Sequence, residues 1–508
     1  MIINTFKYLG IAVLFTGLTG CLWKGGWLTT VGPDYTGKPT TTIPSQWHVP
    51  ENMYDTPIAH QGKPSNLQAW WSRFNDPALS RLLAAAQQAS PTLAAAKARI
   101  AQARSGFIAA NASLFPNLDF NGEITESDTS IEDLNIDLGE KQQDLNINIL
   151  QYKGGLQSSW EIDLFGGLAR QQEASTSQIE AQQAAWHDAR VSVAAEVANA
   201  YLNYRYCQVQ AELLTVDTES RRESAKLVKI AGKAGFRSPA DIALADATAD
   251  DGQANLLSRK VQCGRSVKSL VEISGLKEQE VRALLKTAPG QPAKLPIPPP
   301  FRIDAIPTKA LLQRPDLVAA ERDMAEACAN IGVERAKQFP KLTLTGNISR
   351  TLMNLDANIF STVEATMQAG SIGPSLSLPL FDFGKRAAST ELARVQYETS
   401  IINFKAKVRT AVREVEDALL RLDGVDRRLP LERKAAANYQ MSYRAQQQLY
   451  RAGLGNLIDA ESIRRNALSA EMTVDELEQE RVSAWIALYR AVGGGWEDPL
   501  QTADKASH

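Results

Sequence analysis

Along "LFPNLDFNGEI", Leu114 to Ile124, apolar and polar positions alternate once the chain has passed Pro116. Leu118, Phe120, Gly122 and Ile124 fall on one face, and Asn117, Asp119, Asn121 and Glu123 on the other. A period of two predicts a strand. "QFPKLTLTGNI", Gln338 to Ile348, repeats the pattern, with Phe115 on Phe339, Pro116 on Pro340 and Gly122 on Gly346, an offset of 339 − 115 = 224. Four strands are predicted, Asn117–Glu126, Leu156–Phe165, Lys341–Arg350 and Ser371–Phe381. Each has about ten residues, the length that crosses a bilayer when tilted. Alternation alone also allows a small soluble sheet capping a helical bundle.

The other period in the chain is helical. From about Arg170 to Gly235 nothing breaks a helix, which at about 1.5 Å per residue is roughly 100 Å long. Val193, Val197, Ala200, Tyr204, Cys207, Ala211 and Leu214 recur at spacings of three and four, as do Val408, Val412, Val415, Leu419 and Leu422. These are coiled-coil seams, and the charged positions between them read as a solvated face.

The repeat is wider than one strand. "SPTLAAAKARI" (Ser90 to Ile100) matches "RPDLVAAERDM" (Arg314 to Met324), and both open a helix with Pro in the first turn. "WEIDLF" (Trp160 to Phe165) resembles "LSLPLF" (Leu376 to Phe381). "AGFRSPAD" (Ala234 to Asp241) resembles "AGLGNLID" (Ala452 to Asp459), at an offset of 459 − 241 = 218. Each half therefore reads helix, strand, strand, long helix, turn, long helix. The division is a signal peptide over 1–20, an extended segment over 21–75, one repeat over 76–287, a Pro-rich linker over 288–307, the second repeat over 308–492 and a tail over 493–508.

The first twenty residues, with Lys7 and the apolar run "YLGIAVLFTGL", have the shape of a signal peptide. It ends in "LTGC", so that Cys21 directly follows the predicted cut. The segment resembles a bacterial lipobox, which makes Cys21 the acylated first residue of the mature chain. The alternative is an ordinary signal peptide followed by a Cys. Leu22 rather than Asp stands next to Cys21, which by resemblance to lipoproteins favours the outer membrane. The lipobox and the symmetric placement of the strands favour the membrane over the soluble sheet. Open edges are not tolerated in lipid, and four strands cannot close a barrel. Identical chains are therefore expected to share one: three give twelve strands, two a filled eight.

Lys plus Arg number 55 and Asp plus Glu 57, a balance that gives no reason to propose nucleic acid. The four His are scattered, at His48, His60, His187 and His508, so no metal spacing arises. No nucleophile–base pair, phosphate loop or carboxylate dyad stands out, and no enzyme activity or cofactor is expected beyond lipid on Cys21.

In this order, "WWSRFNDPAL" (Trp70 to Leu79), "WEIDLFG" (Trp160 to Gly166), "QRPDLVAAE" (Gln313 to Glu321), the two "FP" strands, "LPLFDFGKR" (Leu378 to Arg386) and "GGGW" (Gly493 to Trp496) resemble the outer membrane factor (TolC-type) family. They are most similar to its lipid-anchored branch, OprM-like and NodT. The resemblance covers nearly the whole mature chain. It implies a mainly α protein with a membrane β-barrel: a homotrimer with a shared twelve-stranded barrel and a long coiled-coil α-helical periplasmic tunnel. It implies the outer membrane of a Gram-negative bacterium, with most of the mass in the periplasm. The implied role is the passive exit duct of a tripartite efflux system, joined by a periplasmic adaptor to an inner-membrane resistance-nodulation-division transporter and exporting small molecules. Type I protein secretion and a lipid-anchored periplasmic scaffold are the alternatives, and a cell-wall hydrolase is more distant. Asp382-Phe383-Gly384 departs from the family's Asp-Gly-Gly, so the turn after the fourth strand is expected to differ.

Gly235 and Gly453 mark the turns between long helices. Ser238 and Asn456 are expected caps for the helices that follow, with Pro239 in a first turn. These are helical-hairpin tips, and in a trimer each tip residue becomes a ring of three. By resemblance, Asp241, Tyr450 and Asp459 match positions that hold or line a closed entrance. Gly455 stands where some members have a latching Arg, and Ser462 where they have a lumen Asp. First-turn acids at Asp241 and Asp459 also simply suit the helix dipole. Cys207 and Cys263 are equidistant from Gly235, (207 + 263)/2 = 235, and so face each other across the hairpin. In an oxidising periplasm they are expected to form a disulfide, the alternative being two buried thiols. Cys328 has no evident partner and is expected to be buried.

Overall fold

The computed structural model describes residues 26–39, 59–60, 70–131, 145–286, 292–298, 302–303, 311, 314–357 and 360–495. The predicted signal peptide, Cys21, most of the Pro-rich linker and Trp496 onward lie outside the described residues. The strands are β1 (Ala59–His60), β2 (Asn117–Ile131), β3 (Leu145–Ile162), β4 (Arg302–Ile303), β5 (Lys341–Ala357) and β6 (Phe360–Ser377). The helices are α1 (Pro77–Ala89), α2 (Pro91–Ala112), α3 (Gly167–Lys233), α4 (Pro239–Ser274), α5 (Glu278–Leu285), α6 (Pro315–Ala336), α7 (Lys385–Arg451) and α8 (Leu457–Ala491).

The duplication is present residue by residue. The helices α2 and α6 have 22 residues each, and both start and stop 224 positions apart. The helices α3 and α7 have 67 residues each, 385 − 167 = 218 apart. The strands are longer than the predicted ten residues, at 15, 18, 17 and 18. Both second strands also begin earlier than predicted, and β6 stops at Ser377 instead of Phe381. Two helices, α1 and α5, add to the predicted pattern, as does a short parallel pair of β1 with β4.

The chain forms two compact units. The sheet unit takes Ala101–Glu180 and Arg322–Ile401 with the N-terminal stretch up to Lys38. Its sheet has the order β2-β3-β5-β6, antiparallel throughout. The two predicted hairpins are thus joined through β3 and β5, and β2 and β6 remain as edges. The junction after β3 is tied by several residues of the Trp160–Gly166 motif. Trp160 Nε1 donates to the Leu114 carbonyl at 2.9 Å, Asp163 accepts from the Ala169 N–H at 2.9 Å, and Phe165 stacks on Phe339 at 4.7 Å. The N-terminal stretch straps this junction. Trp27, Leu28 and Val31 N–H donate to the Asp163, Leu164 and Phe165 carbonyls. Gly32 permits the approach, because a Cβ there would come within 2.5 Å of Gly332 Cα. Buried Arg170 holds the strap through Asp34 and also bonds Glu173.

The hairpin unit takes Pro39–Ile100, Ala181–Glu321 and Ile402–His508. The second predicted seam appears on α7 with the expected spacings of three and four but in a different phase. Phe404, Val408, Ala411, Val415, Ala418, Leu422, Val425 and Leu429 alternate spacings of four and three, and all are buried. Ala411 takes the place of the expected Val412, which is only half-buried, and Ala418 shares its turn of the seam with Leu419. The helix runs on through Pro430, which sits on its exposed side. Trp70 is fully buried and stacks on Tyr489 at 4.8 Å. The Tyr489 hydroxyl donates to the Gly494 carbonyl, so the "WW" and "GGG" motifs close one aromatic core. Asp76 caps α1 and accepts from the Tyr201 hydroxyl. Arg314 of the "QRPD" motif binds Asp316, Glu414 and the Ala491 carbonyl.

Candidate functional site

In the sheet unit, the strand register decides which side chains share a face. The rows Phe120–Leu156–Ile348 and Ile124–Tyr152–Leu352 place large apolar groups on one face, together with Leu118, Leu342, Leu344, Ile372 and Leu376. The opposite face carries Asp119–Gln157–Asn347–Ser371 and Asn117–Ser159–Thr345. Leu118, Phe120, Ile124, Ile348 and Ile372 are all strongly exposed, so this apolar surface has no protein over it. From Leu342 to Leu352 this band spans 352 − 342 = 10 positions, about 33 Å along a strand and about 25 Å at the usual barrel tilt. That is the height of a membrane barrel's apolar belt.

Beyond the band the polarity inverts. The formerly apolar face now holds Glu126, Asp128, Asn148, Asn354, Asp356 and Glu364. The formerly polar face holds Ile147, Ile149, Leu355 and Val363. Asn148 Nδ2 donates to Asp128 at 2.7 Å within the new polar surface.

In the hairpin unit, both tips close by the same device. Gly235 (φ 79) and Gly453 (φ 78) take the left-handed conformation. The next residues, Phe236 and Leu454, donate back to the Ala231 and Leu449 carbonyls at 2.9 Å, the long bond of a Schellman motif. Ser238 and Asn456 cap the helices that follow. Asp241 completes a capping box: its N–H donates to Ser238 Oγ and its carboxylate accepts from the Ser238 N–H. Asp459 donates its N–H to Asn456 at 2.7 Å, and its exposed side chain makes no reciprocal bond to the cap. Tyr450 lies under the Arg237 guanidinium at 4.5 Å. Burial pushes its phenol above the ordinary value, with Arg237 opposing. Tyr450 also packs with Leu457, Val228, Ala225 and Ala245, joining the tip of one repeat to the tip of the other. Phe236 and Leu454, 218 positions apart, stand about 80% exposed at the two apices.

Above the tips lies a charge cluster at positions whose charge predicts a solvated face. Asp217, Arg221, Glu461 and Arg464 are buried. Arg221 binds Asp217 at 2.7 Å and the Thr248 carbonyl at 3.1 Å. Arg464 binds Glu461 and lies 3.5 Å from Asp217. The first seam continues past Leu214 into Asp217 and Arg221 on α3, so position on the stripe, not charge, decides their burial. The cluster's acid–base spacings, i,i+4 on α3 and i,i+3 on α8, were the available signal. Nothing local in the sequence marks Arg237 as a cation that stacks across a tip.

Cys207 and Cys263 are joined by a disulfide with Cα atoms 5.4 Å apart. Cys328 is free and buried in the sheet unit, its thiol 3.7 Å from the Pro33 carbonyl. Among the described residues there is no group of side chains able to hold a metal ion, and no helix is long and apolar enough to cross a membrane.

The outer membrane efflux protein model matches residues 82–276 and 306–494. The pyoverdine export outer membrane protein OpmQ of Pseudomonas aeruginosa is 27% identical, covering 95% of this chain and 97% of the relative. The probable outer membrane lipoprotein SilC of Salmonella typhimurium is 24% identical over 96% and 99% of the two chains. The outer-membrane channel OprN superposes with a TM-score of 0.76 at 26% identity, covering 92% of this chain and all of that one. With its amphipathic four-stranded sheet, paired helical hairpins and twofold internal repeat, the chain belongs to the outer membrane efflux protein family and is an outer membrane efflux channel component.

Proposed function

We propose that three copies of this chain form the exit duct of a tripartite efflux system for small molecules. The carrying observation is the sheet with one lipid-fit face, one polar face and two unpaired edges, β2 and β6. Lipid does not tolerate open edges, and three such sheets make a twelve-stranded barrel. The polar face then lines the pore. Lipid on Cys21 anchors the chain. Gly26 is 26 − 21 = 5 positions downstream, so the tether reaches at most about 18 Å from the strapped junction, which suits an anchor at the inner rim of the barrel. The hairpin tips are the periplasmic entrance. Asp241, Tyr450 and Asp459 hold or line it, and the exposed Phe236 and Leu454 offer apolar ground to a periplasmic adaptor that connects to an inner-membrane transporter. One relative is named for pyoverdine export, which supports small molecules over proteins as cargo.

Light scattering of the detergent-extracted protein, corrected for bound detergent, tests this reading. The expected mass is that of a trimer, with ion conductance in a planar bilayer. A monomer without a detergent belt and without conductance refutes it.

A further inference from the structure

The two ends of the sheet differ in a way that the internal repeat makes measurable. Asn117 pairs with Ser159 as Lys341 pairs with Ser377, 377 − 159 = 218, so the strand register matches Phe165 to Phe383 and not, as the sequence likeness suggested, to Phe381; after β3 the chain passes Phe165 and Gly166 before entering α3, and after β6 it passes Phe383 and Gly384 before α7. Phe165 is stacked on Phe339, the residue that leads into the neighbouring strand β5, and the strap covers the turn. Phe383 has no such cover. It is 90% exposed, and it holds φ 54, a left-handed conformation that a residue with a Cβ adopts at a cost. Its only ring neighbour among the described residues is the equally bare Phe381. At the opposite edge Phe115, the repeat equivalent of Phe339 (339 − 115 = 224), is also exposed. A strained, uncovered aromatic at one edge thus matches an uncovered aromatic at the other.

We propose that Phe383 of one copy packs on Phe115 of the next, and that β6 pairs with β2 of that copy in the register β3 and β5 already use. This rests on the shared-barrel reading above. Along β3–β5 the paired numbers sum to 504, as for Ile162 with Leu342. Moving from β3 to β6 adds 218 and from β5 to β2 subtracts 224, giving 504 + 218 − 224 = 498. Ser377 then faces Asn121, Leu376 faces Gly122 and Met367 faces Ile131 of the next copy. Even positions meet even ones. The apolar face therefore continues across the joint through Leu376 and Ile124, and the polar face through Ser377, Ser371 and Asn121. A slip by one residue would turn one copy's lipid face toward the pore.

The test is oxidation of the full-length protein carrying Ser377→Cys and Asn121→Cys, read on a non-reducing gel. Directly opposed strand residues lie about 4.5–5.5 Å apart, within disulfide range. The expected result is a covalent trimer. Ser377→Cys combined with Asp119→Cys or Glu123→Cys should cross-link at least tenfold more slowly. A trimer by light scattering that cross-links preferentially through a shifted pair overturns the register while leaving the shared barrel intact. A monomeric mass with no cross-link removes both. Phe383→Gly separates the aromatic contact from the backbone. Glycine relieves the left-handed strain, so a chain without the contact should gain stability, whereas the proposal expects the trimer to dissociate at a lower temperature. An unchanged or more stable Phe383→Gly trimer, or labelling of Phe383→Cys by a lipid-phase probe, overturns the contact and gives the position to the acyl chains.

Discussion

Replacing Arg464 by Met should destabilise the hairpin unit by about 3 kcal/mol. The cluster holds two cations and two anions, all with side chains no more than 11% exposed. Removing one cation leaves a net negative charge buried between α3 and α8. At an effective dielectric of about 20, one contact at the 3.5 Å Arg464–Asp217 distance is worth roughly 5 kcal/mol. The desolvation of Arg464 offsets several kcal/mol of its attractions, and its Nε and Nη1 lack hydrogen-bond partners. Breaking a buried pair by removing one member typically costs about 3–5 kcal/mol, and the imperfect bonding of Arg464 places this case at the low end. Glu461→Gln in the same chain removes the orphaned charge and should restore about 2 kcal/mol of that loss. Thermal unfolding in detergent, followed by helical circular dichroism, reads both. The single variant should melt roughly 5–10 °C lower, and the double variant should recover more than half of the difference. A single variant within a degree of the parent, or a double variant no better than the single, would refute the argument.

Asp475 is pushed up to about 6, by burial first and then by Glu478 and Glu471. A raised carboxyl contributes stability that is present below about pH 4 and lost as pH rises through 6. Asp475→Asn should therefore stabilise at pH 7.5 by about 1 kcal/mol after solvent screening, and not at pH 4, as melting at the two values would show. Reducing the Cys207–Cys263 bridge, which closes a separation of 56 residues, should cost up to about 4 kcal/mol by loop entropy; a Cys207→Ser, Cys263→Ser chain with parental melting would contradict this. At Gly332 a Cβ would meet Arg170 Cγ at 2.7 Å and the Val31 carbonyl at 2.9 Å, both under the strap. Gly332→Val should lift residues 26–39, making them the first site of limited proteolysis while the sheet stays intact.

What could be read from the sequence was what repeats. The paired "FP" strands, the matching Pro-led helix starts and the two Gly turns are short, strong signals, and the structure places them at constant offsets of 224 and 218. The strand lengths were not legible for a physical reason. Past Glu126 and its counterparts the alternation changes phase, so a rule that follows one apolar face stops at the inversion while the backbone pairing continues. The buried charges were hidden for the opposite reason. Their periodicity was that of the seam, but their chemistry was that of a surface, and only packing resolves the conflict. Asp241 shows the limit at the tips: the same first-turn acid that suits an entrance also forms half of a capping box. Asp459, with no such bond to its cap, is the freer of the two.

The inversion of the sheet also bears on water. In a closed barrel Ile147, Ile149, Leu355 and Val363 would ring the inside of the outer mouth. An apolar collar offers no hydrogen bonds to the water and ions that pass it. Below it, the hydroxyl and amide lining keeps the bore wet. The last stretch of the path out of the cell would then resist ions more than its width suggests, and would ease for a solute that brings its own apolar surface.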